Sequence, residues 1–169
     1  MHLQPISDHL QEGLKILFVG FNPSIRSSET GFHYANPTNR FWKILFQAGL
    51  TPRIYSPSEN SKLLALGYGL TNIVARPTKE AAEISKEEYA EGAALLAQRI
   101  RKYQPQAVCF VGKGVYQEFS KRRKVDWGIQ ADPVIPGTVE FVAPSSSGLV
   151  RMKLDEIVEI YKGLRKFVR

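Results

Sequence analysis

Lys15-Ile16-Leu17-Phe18-Val19-Gly20-Phe21-Asn22-Pro23 is a short apolar run stopped by glycine and proline, the pattern of a strand buried on both faces that ends in a loop. Ala107-Val108-Cys109-Phe110-Val111 before Gly112-Lys113-Gly114 repeats that pattern, and so does Val139 to Ala143 before Pro144-Ser145-Ser146-Ser147-Gly148-Leu149. A strong helix signal lies between the first two runs. Ser85-Lys86-Glu87-Glu88 reads as a capping box, and Tyr89, Ala93, Leu96 and Ile100 follow at intervals of four, three and four on one face, ending before Pro105. Strand, helix, strand alternation predicts a parallel sheet covered by helices on both faces.

Further helices flank this unit. Asn39 is a candidate N-cap for a helix from Arg40 to about Ala48, stopped by Gly49, and a short helix is expected near Val115 to Ser120. The last helix carries Leu154, Ile157, Tyr161, Leu164 and Val168 on one stripe, with Asp155 and Glu156 opening it and Arg165 and Lys166 closing it, a charge order that suits the helix dipole. Residues 50 to 62, with Pro52, Pro57 and several serines, read as an irregular excursion.

With 169 residues and 43% apolar composition, the chain suffices for one domain, residues 1–169, with a core of its own. Its single Cys109 lies in an apolar run and reads as a buried, inert thiol; it forms no intrachain disulfide and cannot supply a four-cysteine cluster. His2, His9 and His33 lack zinc-ligand spacing. No metal and no cofactor are expected. Nothing approaches the roughly 18 apolar residues of a membrane span, and no basic and apolar leader opens the chain. A soluble, cytoplasmic monomer with no membrane partner is expected. The net charge of +7 favours an anionic partner such as nucleic acid.

In an open parallel sheet, ligands bind outside the carboxyl ends of the strands, so loops 20–23 and 144–149 can converge on one site. Asn22 reads either as an Asn-Pro turn residue or as an amide that orients a water; it cannot accept a proton at neutral pH and is no general base. His33 is the alternative base. Gly20 lacks the further glycines of a dinucleotide fingerprint, and Gly112-Lys113-Gly114 lacks the rest of a phosphate loop, although Lys113 and the free amides there can hold a backbone phosphate. Phe41 and Trp42 fall within the helical pattern and are assigned to the core, whereas Tyr34 lies among polar residues where an aromatic can stack on a base. Ser145, Ser146 and Ser147 read as a flexible linker or as phosphate and base contacts. Were Leu149 pushed into a duplex, Arg151 would approach the opposite strand. The run Lys121-Arg122-Arg123-Lys124 reads as a solvated turn or a nucleic-acid contact.

Gly20-Phe21-Asn22-Pro23, Asn39-Arg40-Phe41-Trp42, Leu70-Thr71-Asn72-Ile73-Val74-Ala75-Arg76-Pro77, Tyr103-Gln104-Pro105, Trp127-Gly128 and Gly148-Leu149 together resemble the mismatch-specific uracil/thymine DNA glycosylase family of the uracil-DNA glycosylase superfamily, in order and spacing. The resemblance implies a three-layer α/β/α sandwich with a central, mainly parallel sheet, and a single uracil-DNA glycosylase-like domain. It implies a monofunctional DNA glycosylase that hydrolyses the N-glycosidic bond of uracil, or of thymine or a modified pyrimidine, in mismatched double-stranded DNA for base excision repair. A non-catalytic binder of mismatched DNA with the same fold is the alternative.

By the same resemblance, Asn22 positions water, the backbone around Phe21 lines the base pocket, and Tyr34 stacks on the extruded base. Asn72 bonds the pyrimidine edge, and Ser27 lies near the 5-position. Leu149 is the wedge that fills the gap, with Arg151 beside the unpaired guanine. Ser145 stands where faster relatives place a histidine, and Asn22 where they place an aspartate, which implies slow turnover. Pro144-Ser145-Ser146-Ser147 is similar to the thymine branch and Gly148-Leu149 to the bacterial branch.

Overall fold

The computed structural model describes residues 4–168, so His2 lies outside the described residues. In chain order the elements are β1 (Ile16–Gly20), α1 (Ile25–Thr30), α2 (Phe41–Gln47), a 3₁₀ segment (Pro57–Leu66), β2 (Tyr68–Asn72), a 3₁₀ turn (Ala81–Glu83), α3 (Lys86–Tyr103), β3 (Ala107–Val111), α4 (Lys113–Ser120), β4 (Gly128–Ile129), β5 (Val139–Ala143), α5 (Leu154–Tyr161) and a final 3₁₀ segment (Lys162–Phe167). The five strands form one sheet in the order β2-β1-β3-β5-β4. β2, β1, β3 and β5 run parallel, and the two-residue β4 closes one edge antiparallel to β5. At the other edge His9 exchanges backbone hydrogen bonds with Leu70, at 2.8 and 3.0 Å.

Strand alternation builds the two faces. Ile16 and Phe18 point into a core with Phe41, Trp42, Leu45, Ile157 and Tyr161 from α2 and α5, whereas Leu17 and Val19 point into a second core with Leu96, Ile100, Val115 and Phe119 from α3 and α4. Every residue of β1 and β3 is buried. The apolar run is continuous because both of its faces are covered, and the α/β sandwich expected from the sequence is observed. Cys109 is buried in this sheet, and desolvation pushes its thiol up.

α3 starts as its capping box predicts, with Ser85 Oγ accepting the Glu88 N–H at 3.1 Å and the Glu88 carboxylate accepting the Ser85 N–H at 3.1 Å. It ends on Gln104 in the left-handed region.

Other boundaries differ from the sequence pattern. α2 starts one residue later than expected, with Arg40 as its cap; Asn39 still serves the helix end, its Oδ1 accepting the Phe41 N–H at 3.0 Å. α4 starts earlier, at Lys113 directly after Gly112. The last helix tightens to 3₁₀ at Lys162, although Ile157, Tyr161 and Leu164 keep their buried stripe. Residues 50 to 62 are irregular only in their first half; from Pro57 they form the 3₁₀ segment, anchored by buried Asn60 and Leu63. α1, β2 and β4 were not marked by periodicity. They are short, and β2 (Tyr68-Gly69-Leu70-Thr71-Asn72) mixes polar and small residues among its apolar ones.

Candidate active site

Gly20, Asn72 and Ala143 end β1, β2 and β5 on the same side of the sheet, as the parallel register requires. The loops after these strands, with the segment before α2, enclose a cleft of about 350 Å³. It is lined by Phe21, Asn22, Ser27, Tyr34, Asn72 and residues 145–149, all singled out from the sequence, together with Ile6, Gly20, His33, Thr38 and Lys79 among others. Convergence of loops 20–23 and 144–149 is therefore a property of the fold.

Asn22 is held by partners far away in the chain. Its Nδ2 donates to Arg76 O and to Thr78 Oγ1, each at 2.8 Å. Both donor hydrogens are thus committed, and Oδ1 is left for the cleft. The Thr78 hydroxyl donates onward to Glu80 O at 2.9 Å, so it faces Asn22 with a lone pair. Arg76 is itself fixed by a two-pronged contact with Glu88, Nε to Oε2 at 2.8 Å and Nη2 to Oε1 at 2.9 Å. That guanidinium, followed by the Ser85 N–H, holds the Glu88 carboxyl down at about 2. The α3 capping box and the Asn22 amide are linked through one arginine.

Tyr34 forms the adjacent wall. Its ring stacks on Phe41 at a centroid distance of 3.9 Å and an interplanar angle of 12°. Trp42 Nε1 donates to Tyr34 O at 3.3 Å, and Ser27 Oγ accepts the next N–H, from Ala35, at 3.1 Å. These contacts hold Tyr34 at φ 52°, a left-handed conformation uncommon for an aromatic residue. The tyrosine hydroxyl is buried without a partner among the described residues, and burial raises its pKa well above the ordinary phenol range. Gly20 makes this closeness possible: a Cβ there would lie 2.7 Å from Asn72 Oδ1 and 3.0 Å from the Tyr34 hydroxyl oxygen. The Phe21 ring rests on Gly114, where a Cβ would meet it at 2.5 Å. Phe21 thus lines the cleft and also packs against the second core.

The serine loop is tightly built. Ser145 Oγ accepts the Ser147 N–H and Ser147 Oγ the Leu149 N–H, both at 3.2 Å. Ser146 is 1% exposed, so its part is in shaping the loop. Leu149 is 93% exposed at the tip, far beyond what an ordinary apolar side chain needs. Arg151 is exposed nearby in the chain.

Lys113 is not among the cleft-lining residues; its Nζ lies 4.2 Å over the Trp127 ring. His33 is 2% exposed, with its Nε2 on Ser7 O at 2.8 Å, and desolvation by burial lowers its pKa to about 4. With Nε2 facing that carbonyl, His33 forms part of the cleft wall. Thr78 and Lys79 escaped the sequence reading as site residues, and Arg40 entered it only within the motif Asn39-Arg40-Phe41-Trp42. Their spacing to Asn22 or to the serine loop carries no local pattern.

Among solved structures the chain is similar to the solution NMR structure of a candidate uracil DNA glycosylase from Methanosarcina acetivorans, with 22% identity, coverage of 98% of this chain and 99% of that one, and a TM-score of 0.62. That likeness is one of fold. The model of the Uracil DNA glycosylase superfamily matches residues 7–165, nearly the whole chain and every cleft element except Ile6. The chain belongs to the uracil DNA glycosylase superfamily.

Proposed function

We propose that the protein is a monofunctional DNA glycosylase that removes uracil, with thymine or modified pyrimidines as further substrates, from mismatched double-stranded DNA and leaves an abasic site for base excision repair. The observation that carries this reading is the Asn22 amide, held by Arg76 O and Thr78 Oγ1 in a cleft walled by Tyr34, beside a loop that presents Leu149 to solvent.

In this reading Leu149 enters the duplex as the target nucleotide swings out. A mispaired base costs less to extrude than a paired one, by part of the few kcal/mol that flipping requires. The pyrimidine lies against the free face of Tyr34, within reach of the Asn72 amide, the backbone around Phe21 and Ser145, with Ser27 near its 5-position. The N1–C1′ bond breaks ahead of water attack, and the electron pair leaves with the base. Water held by Asn22 Oδ1 then adds to C1′, and its released proton neutralises the departed pyrimidine anion. Asn22 orients and takes no proton. The cleft has no carboxylate among its described lining residues, which fits slow turnover. Ser146, Ser147 and Gly148 shape the loop that follows the strand backbone, Arg151 faces the widowed guanine, and Lys113 is a more distant phosphate contact.

Single-turnover incubation with a G:U duplex, read as alkali-labile strand breaks, tests the reading. Asn22→Ala should lower the rate by about 100-fold or more with duplex affinity nearly intact. A gel shift without strand breaks in the native protein would instead identify a non-catalytic mismatch binder.

A further inference from the structure

We infer that Arg40 is the positioning residue that joins the Leu149 turn to the base-stacking wall, so that wedge and pocket move as one unit; this rests on the glycosylase reading above. Three consecutive residues at the start of α2 each hold one part of the site. Arg40 takes the serine loop: its backbone N–H donates to Ser146 O at 2.9 Å, and its Nη2 donates to Ser147 O at 3.3 Å and to Val150 O at 3.4 Å. Phe41 takes the Tyr34 ring by stacking. Trp42 takes the Tyr34 carbonyl through its indole N–H.

The turn also has the Leu149 N–H on Ser147 Oγ and Val150 packed against the first core, but it is the Arg40 guanidinium that spans its two end carbonyls. Val150 N–H closes it onto Ser147 O at 3.2 Å, which leaves Gly148 and Leu149 as its two central residues. Leu149 is 93% exposed and contributes no packing to fix itself. Gly148 rests on loop 36–39 so closely that a Cβ would lie 2.7 Å from Thr38 O. The guanidinium therefore bridges the carbonyls on either side of the wedge, and its Nε is buried without a partner among the described residues. A half-buried guanidinium with charge-assisted bonds holds its acceptors more firmly than a fully exposed one would. An apolar tip that must displace a base gains from being ordered beforehand, because ordering it during extrusion would cost conformational entropy at that step. Arg40 supplies that order from the same helix turn that fixes Tyr34.

The test is a double-mutant cycle of single-turnover excision rates, using the native protein, Arg40→Met, Leu149→Ala and the double variant, on uracil in a G:U duplex and in a single-stranded oligonucleotide. Arg40→Met should lose about tenfold or more on the duplex and less than twofold on the single strand. It should add almost nothing once Leu149 is alanine, and Arg40→Lys should recover part of the loss. Equal loss on both substrates, additivity with Leu149→Ala, or no loss at all would overturn the inference. Should thermal melting show Arg40→Met to be poorly folded, Gly148→Ala shifts the turn off Thr38 and leaves the guanidinium in place; it must give the same duplex-selective loss, and any other pattern counts against the proposal. If the native protein excises uracil from neither substrate, the glycosylase reading fails. The wedge is then judged by fluorescence of 2-aminopurine beside a mismatch, which Arg40→Met and Leu149→Ala must reduce alike.

Discussion

Asn22 Nδ2 donates to Thr78 Oγ1 at 2.8 Å, and the Thr78 hydroxyl spends its own hydrogen on Glu80 O. The direction of both bonds decides which end of the Asn22 amide faces the cleft. Thr78→Val keeps the shape and removes one of two acceptors; Arg76 O still selects Nδ2, but one amide hydrogen loses its partner and Asn22 is aimed less firmly at the water site. Excision should slow by about tenfold with DNA affinity within twofold, given what one oriented polar group contributes in a dry site. A parallel loss of affinity would mean that Thr78 supports the loop as a whole.

Gly20→Ala tests how close the pocket walls stand. The added methyl would meet Asn72 Oδ1 at 2.7 Å and the Tyr34 hydroxyl oxygen at 3.0 Å, so at least one wall must move. Overpacking of this kind costs about 1 to 3 kcal/mol. Chemical denaturation should show a stability loss in that range, and uracil excision should fall even where the variant is fully folded; full activity would show that the walls can yield.

Stability should fall on acidification because of His33. Its pKa is about 4 in the folded protein against the ordinary 6.5, chiefly through burial, with neighbouring His9 acting in the same direction. The unfolded chain therefore binds the proton more readily. The contribution is complete above about 6.5 and is lost as pH falls toward about 4, on the order of 3 kcal/mol over that window. Urea titrations at pH 7.5, 5.5 and 4.5 should give a steeper fall for the native protein than for His33→Gln, and equal slopes would remove His33 as the cause.

Two lysines separate cleft electrostatics from surface charge. Lys79 is the one residue with a formal charge at neutral pH among the described residues lining the cleft, whereas Lys113 lies over Trp127. Lys79→Gln should reduce the slope of log affinity against log salt by about one phosphate contact. Lys113→Gln should change it less and should lower stability by about 0.5 to 2 kcal/mol through loss of the cation–π contact. The reverse ranking of slopes would place the phosphate at α4.

Much of the fold was legible because its signals are local. β1, β3 and β5 announced themselves as apolar runs ended by glycine or proline, and α3 by a capping box with a matching apolar stripe. β2 carries polar residues at its end, and the segment at 57–66 has no clear period, so neither could be read in that way. Tyr34 stood out as an aromatic in a polar loop, but its stacking on Phe41 needed the loop to be folded back onto α2.

A mainly parallel α/β sheet, Asn22 just past a strand end and a serine loop with an apolar tip can all be read from the residues in order, because burial and backbone periodicity act over neighbouring positions. What those groups can do depends on contacts made across the fold. Asn22 is aimed by residues 54 and 56 positions away, and the Leu149 turn is held by an arginine 107 and 110 positions from its two carbonyls. Hydrogen-bond direction depends on where distant backbone comes to rest, and no local pattern carries that information.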